Sequence, residues 1–165
     1  MQSHKNIHLD ISKLADSLKI KPENIDDSLP AQIVSTGLFT LPVCIKSFGV
    51  LKRMKPDFLK VKNFCKKISV GSIHAFTFDT IESRSVYHAR NFAPVYGVNE
   101  DPVTGTANGA VCSYLVENGI VQERNLVCEQ GDIIGRPGRV FVEVGRNLVR
   151  VGGKARIVEE KEMKL

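Results

Sequence analysis

The segment from Thr104 to Val116 constrains the fold most, because its pattern is helical but leaves almost no polar face. Its apolar side chains are those of Ala107, Ala110, Val111, Cys112, Tyr114, Leu115 and Val116. Pro102 keeps the preceding backbone extended, so we expect the helix to begin near Thr104. Asn118-Gly119 is typical of a helix end. A helix that is apolar on all sides must be enclosed by protein, so the rest of the chain has to surround this segment.

Other apolar patterns predict the elements that surround it. Strand-like runs lie at residues 32–35, 41–47, 73–78, 85–92, 126–129, 139–144, 147–151 and 155–158. Two helices with a single apolar stripe are expected, one from Ile11 to Leu18 and one that starts at Pro56-Asp57. Seven or eight strands around one buried helix describe an α+β fold with a bent sheet or partial barrel. The opening residues 1–8 are polar and are expected to be loose.

The start of the central helix is also the best candidate for chemistry. Gly105, Thr106 and Ala107 form its first turn, where the backbone N–H groups have no partner within the helix and the helix dipole is positive. An anion such as a small carboxylate binds well at such a place. Asp101 lies just before this turn. The alternative is that Asp101 and Thr104 only cap the helix, which is the commoner role of these residue types.

The residues Glu100-Asp101-Pro102-Val103-Thr104-Gly105-Thr106-Ala107 resemble the signature of the phenazine-biosynthesis PhzF-like family of isomerases, whose fold resembles diaminopimelate epimerase. Three flanking segments agree with that family. They are the residues Pro30-Ala31-Gln32-Ile33-Val34-Ser35-Thr36-Gly37, the residues Ala89-Arg90-Asn91-Phe92-Ala93-Pro94, and Glu129-Gln130-Gly131 together with Gly135-Arg136-Pro137-Gly138. The resemblance covers roughly residues 12–159 and implies one diaminopimelate epimerase-like domain, with a strongly bent mixed or antiparallel sheet around the central helix.

The resemblance also implies roles for individual residues. Asp101 corresponds to the family's aspartate in the cleft between two domains, and Thr106 retains a hydroxyl where many members have Ser. These two are the candidate catalytic residues. Gly105, Thr106 and Ala107 are expected to bind the substrate through backbone N–H groups. Arg90 is a further candidate for substrate binding through its guanidinium, and a salt bridge on the outer face of the sheet is an equal alternative. The implied reaction is proton transfer on a small carboxylate-bearing substrate, without a cofactor.

The family's principal acid/base glutamate and its Gly-His-Ala-Thr segment belong to a first domain that has no counterpart here. His74 does not replace that histidine, because it lies in a strand pattern of the second domain. We therefore expect residues 1–29 to be an extension with a hinge helix, and residues 30–165 to be the second, C-terminal domain alone. The expected partner is a separately encoded N-terminal half or a second copy of the chain in a homodimer.

The charge and the cysteines weigh against other classes of function. The net charge is +5, and it comes largely from Lys46, Lys52, Arg53, Lys55, Lys60, Lys62, Lys66 and Lys67. A solvated face of an amphipathic helix explains this cluster better than nucleic-acid binding, because exposed aromatic residues are not interleaved with it. The four cysteines show no spacing typical of metal ligands, so no metal is expected. The chain has no long apolar span and no signal peptide, so no membrane contact is expected and the location should be cytoplasmic.

Two other functions stay open at this stage. The first is a non-catalytic binding module that dimerises through the surface left by the absent domain, since large exposed apolar patches are uncommon in monomers. The second is nucleic-acid binding through the region from Lys52 to Lys67, for which a steep salt dependence would be expected.

Overall fold

The computed structural model describes residues 3–162. Its strands are β1 Ser3–Asn6, β2 Gln32–Ser35, β3 Phe39–Cys44, β4 Ser72–Thr77, β5 Tyr87–Ala93, β6 Val98–Asp101, β7 Asn125–Gln130, β8 Gly138–Val144 and β9 Val149–Gly152. Its α-helices are α1 Ile11–Leu18, α2 Phe48–Arg53, α3 Phe58–Lys67 and α4 Gly105–Glu117. Short 3-10 helices lie at Pro22–Asn24, Pro94–Tyr96 and Asp132–Ile134.

The strands form one mixed sheet that bends around α4. The order is β1-β2-β3-β4-β5-β7-β8-β9, and β6 pairs with β5 outside this path. The pairs β3–β4 and β5–β7 are parallel and the others are antiparallel. Helix α4 packs on β2 and β3 and also on β8 and β9. Because these strands lie toward opposite ends of the sheet, the sheet has to curl around the helix, as predicted.

Helix α4 is buried from Ala107 to Leu115. Its apolar side chains pack against the inner face of the sheet, and Val111 and Leu115 are completely buried. Each such side chain contributes about 1.5–3 kcal/mol through the hydrophobic effect. Helices α1 and α3 contribute to a second core that includes Leu14, Val61 and Ile73. Helix α4 is therefore the enclosed central helix that its sequence requires.

Helix α1 and strand β1 are integrated with the rest of the chain. Strand β1 pairs antiparallel with β2, and Leu14 and Leu18 lie in the same core as Ile33. The expectation that the opening residues are loose is wrong for Ser3–Asn6. This strand is polar and is held by backbone pairing with β2. Because its sequence has no alternating apolar residues, it carries no signal typical of a strand. Residues 1–2 of the predicted extension and residues 163–165 of the predicted domain lie outside the described residues. The boundary between the extension and the domain, at residues 29 and 30, stays a prediction.

The predicted strand at residues 155–158 is not present. Residues 153–162 form neither helix nor strand, and Ile157 and Val158 are 77% and 83% exposed. A strand needs a neighbour to accept and donate its backbone hydrogen bonds, and no described strand pairs with this segment. The turn between β8 and β9 is closed by the Gly145 N–H, which donates to the Leu148 carbonyl over 2.8 Å.

Candidate active site at the N-terminus of helix α4

A cavity of about 280 Å³ lies at the start of α4. Its polar lining residues are Thr40, Ser72, Asn91, Asp101, Thr104 and Thr106, and its other lining residues are Leu38, Ala93, Tyr96, Val98 and Ala107. The polar residues come from β3, β4, β5, β6 and the first turn of α4. The bent sheet therefore brings together side chains that lie far apart in the sequence.

The N-terminus of α4 has no side-chain cap among the described residues. Thr104 occupies the N-cap position, but its hydroxyl donates to Asp101 Oδ2 over 2.6 Å and accepts no N–H from the helix. The Asp101 carboxylate accepts that hydroxyl, and no N–H of the helix donates to it among the described residues. Neither residue therefore has the simple capping role that was the alternative to a catalytic one.

The N–H groups of Gly105, Thr106 and Ala107 have no acceptor among the described residues. The first backbone bond of the helix runs from the Asn108 N–H to the Thr104 carbonyl, over 3.0 Å. Thr36, from the loop after β2, donates its hydroxyl to the Thr106 carbonyl over 3.1 Å and fixes the first turn from outside. Thr106 and Ala107 line the cavity, whereas Gly105 is not among its lining residues. The cavity thus has oriented, unpaired donors at the positive end of the dipole, which favours an anionic ligand.

Gln130 holds the segment before α4 in place. Its Nε2 donates to the Asp101 carbonyl over 2.7 Å and to Thr104 Oγ1 over 3.1 Å. Its Oε1 accepts from the Thr104 N–H over 3.1 Å and from Asn108 Nδ2 over 2.7 Å. Gly131 follows with φ +90, and a Cβ there would lie 2.7 Å from the Pro102 carbonyl oxygen. The buried amide is fully hydrogen-bonded, so the position of Asp101 is fixed by a distant strand.

The structure does not bring Arg90 to this cavity. Its Nε and Nη2 donate to the two carboxylate oxygens of Glu100 over 2.8 and 2.7 Å, and Nη1 donates to the carbonyls of Leu51 and Met54. The guanidinium also lies 5.0 Å from the centre of the Phe92 ring. A bidentate pair of this kind orients both partners firmly. Arg90 therefore forms the salt bridge that was the alternative, and it links β5 and β6 to the region of α2.

Other buried ionisable groups lie outside the cavity. His88 Nδ1 lies 2.9 Å from Glu129 Oε2, and both side chains are completely buried. Burial raises the pKa of Glu129, but the N–H groups of Ile81 and Glu82 and the His88 ring donate to its carboxylate and the net shift is downward. Cys112 and Cys128 are buried thiols with sulfur atoms 3.3 Å apart, and burial raises the pKa of Cys112. Within residues 3–162, no group of three or more His, Cys, Asp or Glu side chains could hold a metal ion.

A larger groove of about 680 Å³ lies elsewhere on the surface, but four of its five charged side chains, those of Glu82, Arg84, Asp132 and Arg139, are paired with one another. Arg139 donates to Glu82 over 2.8 Å and to Asp132 over 2.9 and 3.0 Å. No residue of the first turn of α4 lines this groove. The smaller cavity is therefore the better candidate site, because its donors are free.

Sequence reasoning identified one side of the cavity and missed the other. It named Asp101 and the first turn of α4, but it did not name Thr40, Ser72 or Tyr96. Thr40 and Ser72 carry a usable signal, since both are polar residues at the start of otherwise apolar strand patterns. Their hydroxyls bond to each other over 2.7 Å.

No helix in the part of the chain that the structure describes is long and apolar enough to cross a membrane.

The fold defines a protein of the α+β class with a bent sheet around one central helix, and the comparisons place it in a family. Residues 3–161 match the model of the phenazine biosynthesis-like (PhzC-PhzF) proteins. The chain belongs to this family, as its motifs indicated.

Relatives and solved structures agree. An uncharacterised isomerase of Bacillus subtilis, YfhB, is 36% identical over 161 residues, which are 94% of this chain and 55% of the relative. An uncharacterised isomerase of Clostridium acetobutylicum is 33% identical over 93% of this chain and 54% of its own length. The crystal structure of a PhzF-family phenazine biosynthesis protein from Bacillus anthracis superimposes with a TM-score of 0.81 at 32% identity, over 91% of this chain and 53% of that one.

The chain therefore spans about half the length of the curated relatives that it matches. A predicted epimerase from Pseudomonas aeruginosa, with a TM-score of 0.69 and 22% identity, supports the fold alone. That the matched part is the C-terminal half stays a prediction.

Proposed function

We propose that this chain forms one half of a cofactor-independent isomerase or epimerase that moves a proton on a small carboxylate-bearing substrate. The observation that carries the proposal is the uncapped N-terminus of α4, whose free N–H groups share a cavity with the Asp101 carboxylate. Carbon acids resist deprotonation, so such a site has to stabilise the anion that forms. Preorganised N–H donors are an effective means, because they need no reorganisation during the reaction.

Each candidate residue has a role in this scheme. The N–H groups of Gly105, Thr106 and Ala107 bind a carboxylate oxygen or the developing oxyanion. The exposed Thr106 hydroxyl adds a fourth donor. Asp101 holds the substrate or carries a proton, and the Thr104 hydroxyl orients its carboxylate. Arg90 contributes only by holding β5 against β6 through Glu100.

The second half of the site comes from a partner. Leu38, Tyr96 and Val98 line the cavity and are 51%, 53% and 44% exposed, and Val103 next to the helix is 40% exposed. Large apolar side chains grouped at a cavity mouth are typical of a surface that another polypeptide covers. The partner is a chain equivalent to the unmatched half of the relatives, which would supply the main acid/base group, or a second copy of this chain.

The test is proton exchange in a completed enzyme. The segment of the Bacillus subtilis relative that matches this chain is replaced by this chain, and the purified chimera is incubated in D₂O with a panel of small carboxylic acids. Mass spectrometry should show deuterium entering a carbon-bound position of at least one acid. Asp101→Asn should lower that rate roughly 100-fold or more, while the exposed Asp27→Asn should leave it unchanged. Equal rates in the parent and the Asp101→Asn chimera would remove Asp101 from the mechanism.

A non-catalytic dimerising module is the second candidate, and the same exposed apolar residues favour it. In that case, sedimentation of the isolated chain would show a dimer at micromolar concentration, and Tyr96→Asp would convert it to a monomer. No acid would exchange deuterium in the chimera. A monomer in sedimentation would exclude this candidate.

A further inference from the structure

Asn91 is a polar side chain of the cavity that the network around Asp101 does not use. It lies on β5 opposite Asp101 of β6 and is 1% exposed. Its Oδ1 lies 3.2 Å from His74 Nδ1. Among the described residues, neither N–H group of its Nδ2 donates to a protein acceptor. Nδ2 is also not one of the side-chain polar atoms that are buried away from solvent without a hydrogen-bond partner. The amide donors of Asn91 therefore face the cavity.

His74 fixes that orientation. It is completely buried on β4, where the register pairs it with Asn91. Burial lowers the pKa of His74 to about 4, so the ring is neutral at physiological pH and carries one N–H. A carbonyl oxygen can only accept, so Nδ1 is the nitrogen that donates to Asn91 Oδ1. The NH₂ end of the amide then points away from the ring.

A packing role alone does not explain the imidazole. His74 Nε2 is buried without a partner, and an unsatisfied buried acceptor destabilises a protein. An apolar side chain at residue 74 would avoid that penalty. The bond to Asn91 is the interaction that an apolar residue could not make. The edge-on contact with Tyr87, whose ring centre is 6.0 Å away, keeps the imidazole in place.

The cavity consequently has donors on two walls. The free N–H groups of α4 form one, and the Asn91 amide forms the other, while Tyr96 and Val98 provide an apolar surface. We propose that Asn91 contacts the ligand directly, donating to an oxygen of a small carboxylic acid bound at α4, and that His74 is the positioning residue for its amide. This proposal rests on the proposed function and names a determinant of its substrate recognition.

Binding of benzoate to the ¹⁵N-labelled chain tests this without any turnover. The side-chain amide signals of Asn91, identified by their loss in Asn91→Asp, should shift together with the backbone amides of Thr106 and Ala107. Benzyl alcohol, which has no carboxylate, should shift none of them. Asn91→Asp replaces donors by a charged acceptor and should weaken benzoate binding by roughly tenfold or more.

Two controls separate a ligand contact from a structural effect. Asn99→Asp makes the same change on exposed β6 and should leave binding close to that of the parent. His74→Leu removes the N–H donor and should weaken binding and broaden the Asn91 amide signals, whereas His74→Gln, which retains a donor, should restore both. Unfolding in urea checks that each variant is folded.

The outcomes distinguish this proposal from the proposed function. If benzoate shifts Thr106 and Ala107 but not the Asn91 amide, and Asn91→Asp binds normally, Asn91 is not a ligand contact, although the helix site stands. Absence of any shift at these residues also overturns the proposal. Deuterium exchange in the chimera decides the catalytic function independently.

Discussion

The N-termini of α3 and α4 are built from similar residues but are used differently. Asp57 accepts the Lys60 N–H over 3.1 Å and caps α3, as Asp10 caps α1 through the Lys13 N–H. At α4, Asp101 instead accepts the Thr104 hydroxyl. The side chain of Gln130 takes the Thr104 N–H, so the approach to α4 is held while its first turn is left free. The difference shows that an uncapped helix end can be maintained by a neighbouring strand, which leaves the donors available for a ligand.

The strongest way to test this contrast is to remove one of the free donors. Gly105→Pro deletes an N–H at the first helical position, where proline is tolerated, and Thr104 has the extended geometry that a following proline requires. A Cβ at residue 105 would lie 3.3 Å from Val151 Cγ1, so the change is made in a Val151→Ala background. Exchange of deuterium by the chimera should fall roughly 100-fold. Gly105→Ala in the same background retains the donor and should stay near the parent; equal losses would show that the donor is not used.

Acid should destabilise the folded chain through the buried His74. Its pKa is about 4 in the folded chain against 6.5 for an ordinary histidine, so the unfolded chain binds more protons between these values. Stability is therefore complete above pH 6.5 and falls as the pH drops toward 4, by roughly 3 kcal/mol. Urea unfolding across this range measures the slope. In the His74→Gln variant, most of this dependence of stability on pH should disappear. In the variant with the exposed His8→Gln, it should remain. If the slope of unfolding free energy against pH is unchanged in His74→Gln, protonation of the His74 ring is not the cause of the loss of stability.

Removal of Gln130 should weaken the hydrogen bonds that hold the segment before α4, a support that the side-chain-capped α3 does not need. Gln130→Leu leaves the Thr104 N–H without its acceptor and Asn108 Nδ2 without one of its two acceptors. We expect a loss of about 2 kcal/mol of unfolding free energy. The exposed Gln122→Leu should change it by less than about 0.5 kcal/mol. Comparable losses in the two variants, measured by urea unfolding, would contradict the bracing role.

The smallest expected effect concerns the caps themselves. Asp57→Ala should cost about 1 kcal/mol of unfolding free energy, because α3 loses a side-chain cap. Asp101→Ala should cost less and should leave hydrogen exchange within α4 unchanged, because Asp101 accepts no N–H of that helix. If Asp101→Ala costs as much as Asp57→Ala and speeds exchange in α4, Asp101 is a cap after all.

Much of the fold could be predicted because its signals are local. The apolar pattern that ends at Asn118 defined α4, α1 was predicted from Ile11 to Leu18 as observed, and Pro56-Asp57 marked the start of α3. Strand β6 and helix α2 were missed, since β6 is short, polar and irregularly paired with β5. The strand expected at residues 155–158 was wrong, because a β-pattern does not supply a neighbour to pair with.

The site was predictable only on the side that one continuous segment forms. Asp101 and the first turn of α4 are adjacent in the sequence, and the resemblance marked them. Asn91 and Gln130 belong to the segments that resemble the family. Nothing in their spacing showed that Asn91 faces the cavity and that Gln130 holds Asp101 in place. For Arg90, the sequence left two roles open, and the contact with Glu100 selects one of them.

The sequence by itself determined that a helix without a polar face must be enclosed, that its N-terminus follows an aspartate, and which family the motifs resemble. These properties depend on side-chain hydrophobicity and on backbone geometry over a few residues. Only the tertiary structure decided where each hydrogen bond goes. The choice between a cap and an open donor, or between a salt bridge and a ligand contact, depends on which distant strand the bent sheet brings within about 3 Å.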